Sequence, residues 1–397
     1  MTRYIILVIL LASLYLVYGT QDIKSAHKCK DHHPKCVKWA AKGECNKNPK
    51  WMLEHCRQSC GQCSQANVHD LLQRAKSQQI SDLMIIPYII LAVIIGFSIK
   101  IYYSGANCSS DEKLKGKTVI ITGANSGIGM EVARDLAWRK ARVIMACRDV
   151  HKGMKAAAEI VQSAGNMDVE VKKLDLASFA SIREFAKEVN EEESRVDVLI
   201  NNAGYLGSHK KTIDKLEYTL QVNYLGPFKL TNLLLGKLKT SSPSRIINVS
   251  SHQHKKASID FDNLQGEKSY GRFAAYSRSK LALMLFTKQL ANKLAGSKVT
   301  VNALHPGLVC TNLFRNLRFL RIWAIRPIYW LVQYFFFKTP IQGAQTTIHC
   351  AVAPELADVT GKYFVDCQEA ECGEVARDEG LGKKLWEKSE ELCGISS

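Results

Sequence analysis

Two long apolar segments and a series of shorter apolar runs divide the chain. Residues 1–20, MTRYIILVILLASLYLVYGT, have a basic start, an apolar stretch and a small, polar end, which is the order of regions in a secretory signal peptide or an uncleaved signal anchor. Residues 83–103 include 17 consecutive residues without a charge and end in two tyrosines, so a transmembrane helix is predicted there. Residues 64–82 and 104–114 are interpreted as linkers on either side of it.

After residue 115 the pattern changes to short apolar runs that alternate with amphipathic helical stretches. An apolar strand is predicted at Thr118–Thr122, followed by a glycine turn, a helix and a second strand at Ala141–Ala146. Alternating units of this kind pack as a parallel sheet with helices on both faces. Residues 115–397 are therefore predicted to form an α/β domain with a Rossmann-type, doubly wound parallel sheet.

The 13 cysteines are distributed unevenly. Six lie between residues 29 and 63, and seven are scattered over the remaining chain. With either interpretation of residues 1–20, residues 21–82 lie in the oxidising lumen and everything after Tyr103 lies in the cytosol. The cysteine-rich segment is too short to form a core alone, so three disulfides are predicted there instead of a metal or iron–sulfur site. The spacing alone leaves 15 possible pairings. No metal site is predicted elsewhere.

Residues 21–63 are predicted to be a small disulfide-rich module. The segment CVKWAAKGECNKNPKWMLEHCRQSCGQC within it resembles ShK toxin-like (ShKT) modules. That resemblance implies the pairs Cys29–Cys63, Cys36–Cys56 and Cys45–Cys60. Channel-blocking members of that family carry a lysine followed by an aromatic residue, as in Lys50–Trp51. This pair could plug a pore, or Trp51 could pack over the disulfides; the module's lumenal partner is unknown.

The net charge is +17, which suits either an ordinary basic surface or an anionic membrane surface. No arginine- or lysine-rich arm is present, so nucleic-acid binding is not expected. One stretch, residues 312–338, mixes arginines with tryptophans, tyrosines and phenylalanines. It is too charged to span a membrane, and it is interpreted either as an interfacial helix that touches lipid and caps a substrate pocket or as an ordinary helix packed on the domain.

The first strand of the α/β domain leads into a glycine turn. Gly123, Gly127 and Gly129 lie between strand and helix, where they allow the backbone to approach a pyrophosphate at the helix N-terminus. The second strand ends in Arg148–Asp149. Arg148 can pair with a 2′-phosphate, with Lys152 nearby, whereas an acidic residue there would suit NAD. NADP(H) is the predicted cofactor.

Candidate catalytic residues lie after a later strand, Ile246–Val249, which ends in Ser250–Ser251. Tyr276 and Lys280 follow on a helix, four residues apart and therefore on one face. A lysine ammonium beside a phenol is expected to lower the phenol's pKa toward neutral pH. A tyrosine so adjusted can exchange the proton that accompanies hydride transfer, and a serine can hold the substrate oxygen.

The motifs TGANSGIG, NNAG, VNYLGPF, NVSS, YSRSK and HPG, in this order, resemble those of the short-chain dehydrogenase/reductase family over residues 115–397. The resemblance implies that Tyr276 is the acid/base, that Lys280 tunes it and holds the nicotinamide ribose, and that Ser251 binds the substrate oxygen in preference to Ser250. It implies a proton relay through Asn223. The remaining cofactor contacts that it implies are Gly123, Ala124, Asn125, Ser126, Gly127, Ile128, Gly129, Arg148, Asp175 at the adenine, Asn202, Ala203, Gly204, and Pro306, Gly307, Val309 and Thr311 at the nicotinamide.

The segment between the serine pair and Tyr276, and the stretch GAQTTIHCAV…GKYFVDC, are similar to the retinol dehydrogenase/retinal reductase group. This resemblance implies a membrane-anchored NADP(H)-dependent enzyme that interconverts a hydrophobic alcohol and its aldehyde or ketone, retinol and retinal foremost. A steroid or lipid-aldehyde reductase is one alternative. A lumenal interaction or channel-modulating protein with a sensor-like Rossmann domain is another. The endoplasmic reticulum is the expected membrane.

Overall fold

The structure is a computed structural model that describes residues 30–61, 65–310 and 326–395. The predicted signal segment, Cys29, Cys63 and Thr311 lie outside the described residues. The chain divides between Gly96 and Phe97 into two compact units.

The disulfide module consists of three short helices: α1 (Cys36–Ala41), α2 (Glu44–Lys47) and α3 (Pro49–His55). Disulfides join Cys36 to Cys56 and Cys45 to Cys60, which confirms two of the three predicted pairs. Its small core contains Cys36, Cys56 and Met52, each almost fully buried. Since so small a core buries little apolar surface, the cross-links supply much of the stability.

Trp51, the aromatic member of the possible pore-plugging pair, is part of a group of stacked rings. Its ring stacks on His55 at a centroid distance of 4.4 Å and meets Trp39 edge-on at 5.4 Å. His33 stacks in turn on Trp39 at 4.6 Å. Trp51 therefore contacts neighbouring rings of the module while 37% of it remains exposed.

The fourth helix, α4, runs without interruption from Gln65 to Ser104. Within it Ile85–Ser104 is long and apolar enough to cross a membrane, with a mean hydropathy of 2.2. The structure differs from the sequence-based prediction in one respect: residues 65–82, interpreted as a linker, are helical. That stretch contains no glycine or proline and is rich in strong helix formers, a signal that the apolar pattern alone does not carry.

The second unit is built on an eight-stranded sheet with the order β3-β2-β1-β4-β5-β6-β7-β8. All neighbours are parallel except β7 and β8. This confirms the predicted doubly wound parallel sheet. The strands are β1 (Thr118–Thr122), β2 (Arg142–Cys147), β3 (Val169–Lys173), β4 (Val198–Asn201), β5 (Ser244–Val249), β6 (Val299–His305), β7 (Tyr363–Val365) and β8 (Gln368–Glu369).

Helices cover both faces of the sheet, and each face has its own apolar core. The helices of this unit are α5 (Gly127–Trp138), α6 (Val150–Ala164), α7 (Phe179–Glu192), α8 (Tyr218–Leu220), α9 (Gly226–Thr240), α10 (Arg272–Lys293), α11 (Arg326–Phe336), α12 (Pro340–Val352) and α13 (Glu379–Cys393). One core lies under α7, α9, α10 and α13, and the other under α5, α6 and α12. Because β1 lies between β2 and β4, the chain reverses direction across the sheet there, which leaves a crevice at the carboxyl ends of the strands.

Candidate active site

A cleft of about 420 Å³ lies at the carboxyl ends of the central strands. It is continuous from the glycine turn after β1 to the tyrosine and lysine on α10. The sequence-predicted residues that line it are Gly123, Asn125, Ser126, Gly127, Ile128, Gly129, Arg148, Asp175, Asn202, Ala203, Gly204, Tyr276, Lys280 and Pro306. The structure therefore brings together residues that are up to 183 positions apart in the chain.

The glycine turn forms a cradle that side chains would fill. Gly123 has a φ of +67°, which disfavours any residue with a side chain. A Cβ on Gly129 would lie 2.6 Å from the Gly123 carbonyl oxygen and 2.5 Å from Nδ2 of Asn202. Ser126 is the N-cap of α5. Among the described residues of that helix, none donates a capping hydrogen bond to the Ser126 hydroxyl. The free N–H groups at this helix start fit the phosphates of a dinucleotide. Ala124 is buried beneath the turn and does not line the cleft.

Thr122, at the last position of β1, joins the ends of β1 and β4. Its hydroxyl oxygen accepts hydrogen bonds from the backbone N–H of Asn202 and of Ala203, both at 3.0 Å. The Asn202 side chain donates back to the Thr122 carbonyl at 2.9 Å. These bonds fix the cleft floor where the strand order reverses. Thr122 is not among the residues predicted from the sequence, because its bonds run to residues about 80 positions later in the chain.

The end of β2 places two oppositely charged side chains beside the cleft. The Asp149 carboxylate caps α6 by accepting from the Lys152 backbone N–H at 3.1 Å, and it pairs with the Lys152 ammonium at 3.1 Å. The backbone hydrogen bond is the larger cause that holds the pKa of Asp149 below its usual value. Arg148 instead donates to the Tyr218 hydroxyl at 2.6 Å. Arg148, Asp149 and Lys152 all line the cleft; the Asp149 carboxylate is bonded to the start of α6 and the Arg148 guanidinium to Tyr218.

Tyr276 and Lys280 line the other end of the cleft together with Ser250, and Ser251 lies beside Tyr276. Tyr276 shares a hydrogen bond with the Ser251 hydroxyl. The Lys280 ammonium donates to the Val249 carbonyl at 2.8 Å and lies 5.7 Å from the centre of the Tyr276 ring. The two side chains lie on the same face of α10, as their spacing predicts.

The pKa of Tyr276 differs from the sequence-based expectation. Burial raises it to about 12, although the hydrogen bond with Ser251 opposes this rise. Burial also lowers the pKa of Lys280 to about 8. The expected lowering of the Tyr276 pKa by Lys280 is therefore wrong. The physical reason is that desolvation disfavours both charged forms, and that the ammonium is bonded to a backbone carbonyl.

The two serines after β5 point to different partners. Ser250 donates to the Lys280 carbonyl at 3.0 Å, on the backbone of α10. Ser251 accepts from the Gln253 N–H at 3.3 Å, and its hydroxyl also bonds to Tyr276. Ser251 is thus the serine that interacts with Tyr276, whereas Ser250 is the one that lines the cleft.

Asn223 lies in a π-helical turn, Gln221–Leu225, between α8 and α9. Its side chain accepts from the Tyr205 N–H at 2.7 Å and donates to the Tyr205 carbonyl at 2.9 Å and to Ser279 at 3.0 Å. A Cβ on Gly204 would lie 3.8 Å from the Lys280 ammonium and 4.0 Å from the side-chain amide oxygen of Asn223. The π turn, a frequent feature of functional sites, and Ser279 were not foreseen from the sequence.

The segment after β6 holds the remaining predicted contacts. Pro306 lines the cleft, whereas Gly307 and Val309 do not. Gly307 has a φ of +88°, and a Cβ there would lie 2.7 Å from the Lys338 side chain. Val309 is buried and forms a bridge with Lys338, whose ammonium pairs with Asp366. Within the described ranges no three metal-binding side chains converge.

Asp175 lines the cleft near the start of α7. Its carboxylate accepts from the Ala177 N–H at 3.0 Å, and its own N–H bonds to the Ser181 hydroxyl at 3.0 Å. These bonds hold the start of α7 beside the cleft.

Comparisons with known proteins match two parts of the chain. The family model described as short chain dehydrogenase matches residues 117–319. A model described as ShK domain-like matches residues 28–63.

Similar curated proteins carry one kind of name. Retinol dehydrogenase 11 of Homo sapiens is 50% identical over 293 residues, covering 74% of this chain and 90% of the relative. Retinol dehydrogenase 14 of Mus musculus is 49% identical, covering 71% and 87%. Retinol dehydrogenase 13 of Homo sapiens is 46% identical, covering 79% and 96%.

Solved structures share the fold of the second unit. An uncharacterized protein from Mycobacterium paratuberculosis is 34% identical with a TM-score of 0.59, covering 73% of this chain and 98% of that one. A protein described as an NAD(P)-dependent gluconate 5-dehydrogenase from Beutenbergia cavernae, with bound NADP, is 28% identical with a TM-score of 0.52, covering 64% and 96%.

Proposed function

The chain belongs to the short chain dehydrogenase family, and from this premise we propose that it is a membrane-anchored, NADP(H)-dependent oxidoreductase that interconverts retinol and retinal. The observation that carries the proposal is that Ser250, Tyr276 and Lys280 line one end of a cleft whose other end is a glycine cradle, with Ser251 beside Tyr276. Relatives that are 46–50% identical and named retinol dehydrogenases support the substrate class.

The cofactor would lie along the cleft with its pyrophosphate at the start of α5. Gly123 and Gly129 leave room for it, and Asp175 would meet the adenine. Arg148 and Lys152 would pair with a 2′-phosphate, because the Asp149 carboxylate already caps α6. When bound, NADP(H) supplies or accepts the hydride.

The chain's own residues then handle the substrate oxygen. Ser251 holds that oxygen beside the Tyr276 hydroxyl. A pKa raised to about 12 keeps Tyr276 protonated at neutral pH, which is the form that donates a proton to a carbonyl undergoing reduction. Lys280 and Asn223 would form the rest of a proton relay. The Lys280 ammonium and the Asn223 side-chain oxygen both lie near Gly204.

The membrane arrangement belongs to the same proposal. The candidate span Ile85–Ser104 would anchor the chain in the endoplasmic reticulum, with the disulfide module in the lumen and the catalytic unit in the cytosol. A pore-plugging role for Lys50–Trp51 is less well supported, since the Trp51 ring stacks on its neighbours in the module.

The proposal is tested with the full chain in microsomes, assayed with NADPH and NADH against all-trans-retinal, a steroid ketone and a short aldehyde. We expect retinal and NADPH to give the highest kcat/KM. Replacement Tyr276→Phe should reduce kcat by about 1,000-fold, since general acid catalysis contributes roughly 100- to 10,000-fold.

A matched control is Tyr363→Phe. The Tyr363 hydroxyl is buried and has no hydrogen-bond partner among the described residues, so its removal should leave activity nearly unchanged. Full activity in Tyr276→Phe would refute the catalytic assignment. A higher kcat/KM with the steroid or the short aldehyde would replace the retinoid by that substrate class.

A further inference from the structure

Helix α11 exposes an unusual number of large apolar side chains. Five of them form what we call the α11 face: Trp330, Leu331, Val332, Tyr334 and Phe336. Trp330 and Leu331 are 50% and 51% exposed. Exposed apolar side chains in this number on one helix of a folded domain mark a contact with something apolar.

The α11 face adjoins the last turn of α4. The rings of Tyr103 and Phe336 meet edge-on at 5.2 Å, and the Lys100 ammonium donates to the Phe337 carbonyl at 2.9 Å. The Ser104 hydroxyl accepts from Gln342 on α12 at 2.9 Å. The end of the candidate span is therefore packed on the C-terminal end of α11.

The exposure of the α11 face matches that of the candidate span itself. Leu91, in the middle of the span, is 52% exposed, as expected of a side chain that faces lipid. The sequence of residues 312–337 contains four arginines and no acidic residue, a composition that favours anionic lipid headgroups. Apolar exposure, continuity with the span and positive charge all suit one occupant, a lipid bilayer.

We propose that α11 lies at the boundary between headgroups and acyl chains of the bilayer that Ile85–Ser104 crosses, as a second membrane contact. This inference rests on the membrane anchoring proposed above. Lys338 follows directly after α11 and bonds through its N–H to the Leu308 carbonyl at 2.7 Å, two residues beyond Pro306 in the cleft. The contact thus brings the membrane surface close to the catalytic end of the cleft, so that a lipid-dissolved substrate reaches it with little passage through bulk water.

The test places a photo-crosslinking amino acid, p-benzoylphenylalanine, at one position at a time in the full chain. The positions are Trp330, Leu91 as the membrane reference, and Trp138, which is 50% exposed like Trp330 but lies on α5. Microsomes fed with an alkyne-tagged fatty acid are irradiated, and tagged lipid on the protein is measured. We expect adducts at 330 and 91 to exceed those at 138 by about ten-fold, because only the first two positions face acyl chains.

Adducts at 91 but not at 330 would overturn the inference and leave the anchoring intact. Absence of adducts at 91 would overturn the anchoring and the inference with it. A cross-linked dimer at 330 in place of lipid would identify a second copy of the chain as the occupant and also overturn the proposal. Retinal reduction in each variant checks that it is folded.

Discussion

At the scale of single residues, Arg148 and Asp149 show how a neighbour's hydrogen bonds decide a side chain's role. An acidic residue at the end of β2 could accept from a ribose hydroxyl, but the Asp149 carboxylate is occupied by the start of α6. Arg148 remains directed at the cleft, where the Tyr218 hydroxyl holds it. This arrangement supports the proposed preference for a phosphorylated ribose.

Replacement Arg148→Ala should raise the KM for NADPH by about 10- to 100-fold, because a charge-assisted hydrogen bond contributes roughly 1.5–3 kcal/mol. The KM for NADH should change little. Steady-state kinetics with both cofactors measure the difference. Tyr218→Phe is the matched control: it removes the arginine's partner and keeps the charge, so a much smaller change is expected. An equal loss with NADH and NADPH would contradict a role at the 2′-phosphate.

The catalytic residues could be found from the sequence because each lies at a fixed place relative to a strand end or on one helix face. Thr122 and Tyr218 could not, because their roles depend on strands and loops that approach from distant parts of the chain. The raised pKa of Tyr276 also required the structure, since burial is a property of the packed domain and not of the Tyr-x-x-x-Lys spacing.

At the scale of elements, the turn between β1 and α5 requires the backbone at Gly129 to lie close to neighbouring atoms. Gly129 lies where the helix start, the Gly123 carbonyl and the Asn202 side chain meet. No side chain fits there without displacement of backbone. Gly236, in the middle of α9, has no atom within 4 Å of the position that its Cβ would take.

These two glycines give a matched pair of substitutions. Gly129→Ala should weaken NADPH binding and lower the free energy of unfolding by about 1–3 kcal/mol, the usual cost of overpacking. Gly236→Ala should raise the free energy of unfolding by up to about 1 kcal/mol, because alanine is the better helix former. Thermal unfolding of the full chain in detergent, with and without NADPH, measures both. Equal effects of the two substitutions on the free energy of unfolding and on NADPH binding would show that the glycine turn has room for a side chain at Gly129.

Helices and strands could be predicted from the sequence where the local apolar pattern alone specifies the element. The strand Thr118–Thr122 has the predicted bounds because buried parallel strands are continuous apolar runs. The strand predicted at Ala141–Ala146 is shifted by one residue, to Arg142–Cys147. The π turn at Gln221–Leu225 has no such local signature, since Asn223 within it is held by bonds to Tyr205 and Ser279.

At the scale of the whole molecule, the chain joins two chemically different parts through one helix. The module before α4 contains two disulfides, whereas all seven described cysteines beyond α4 are free thiols. Disulfides persist in oxidising compartments and thiols in reducing ones. This division supports placement of the two parts on opposite sides of a membrane.

Protease added to sealed microsomes should therefore remove the catalytic unit and spare a fragment that ends near Ser104, where α4 ends. Tags at the two ends of the chain, detected by immunoblotting, distinguish the fragments. Detergent should expose the N-terminal fragment as well, which controls for membrane integrity. A protected C-terminal unit would reverse the proposed orientation.

The strand order has a further consequence for behaviour at high surface density. The sheet ends at β3 on one side and at β8 on the other, and an open sheet edge can pair with another chain. β3 carries Glu170 and Lys172, which are tied to each other at 2.9 Å, and Glu170 also pairs with Arg142 at 2.6 Å. β8 is only two residues long, and its Glu369 pairs with Lys362. The charged side chains of β3 and the short length of β8 hinder pairing with a strand of another molecule. Crowding of molecules in a membrane plane therefore does not favour aggregation through the sheet edges.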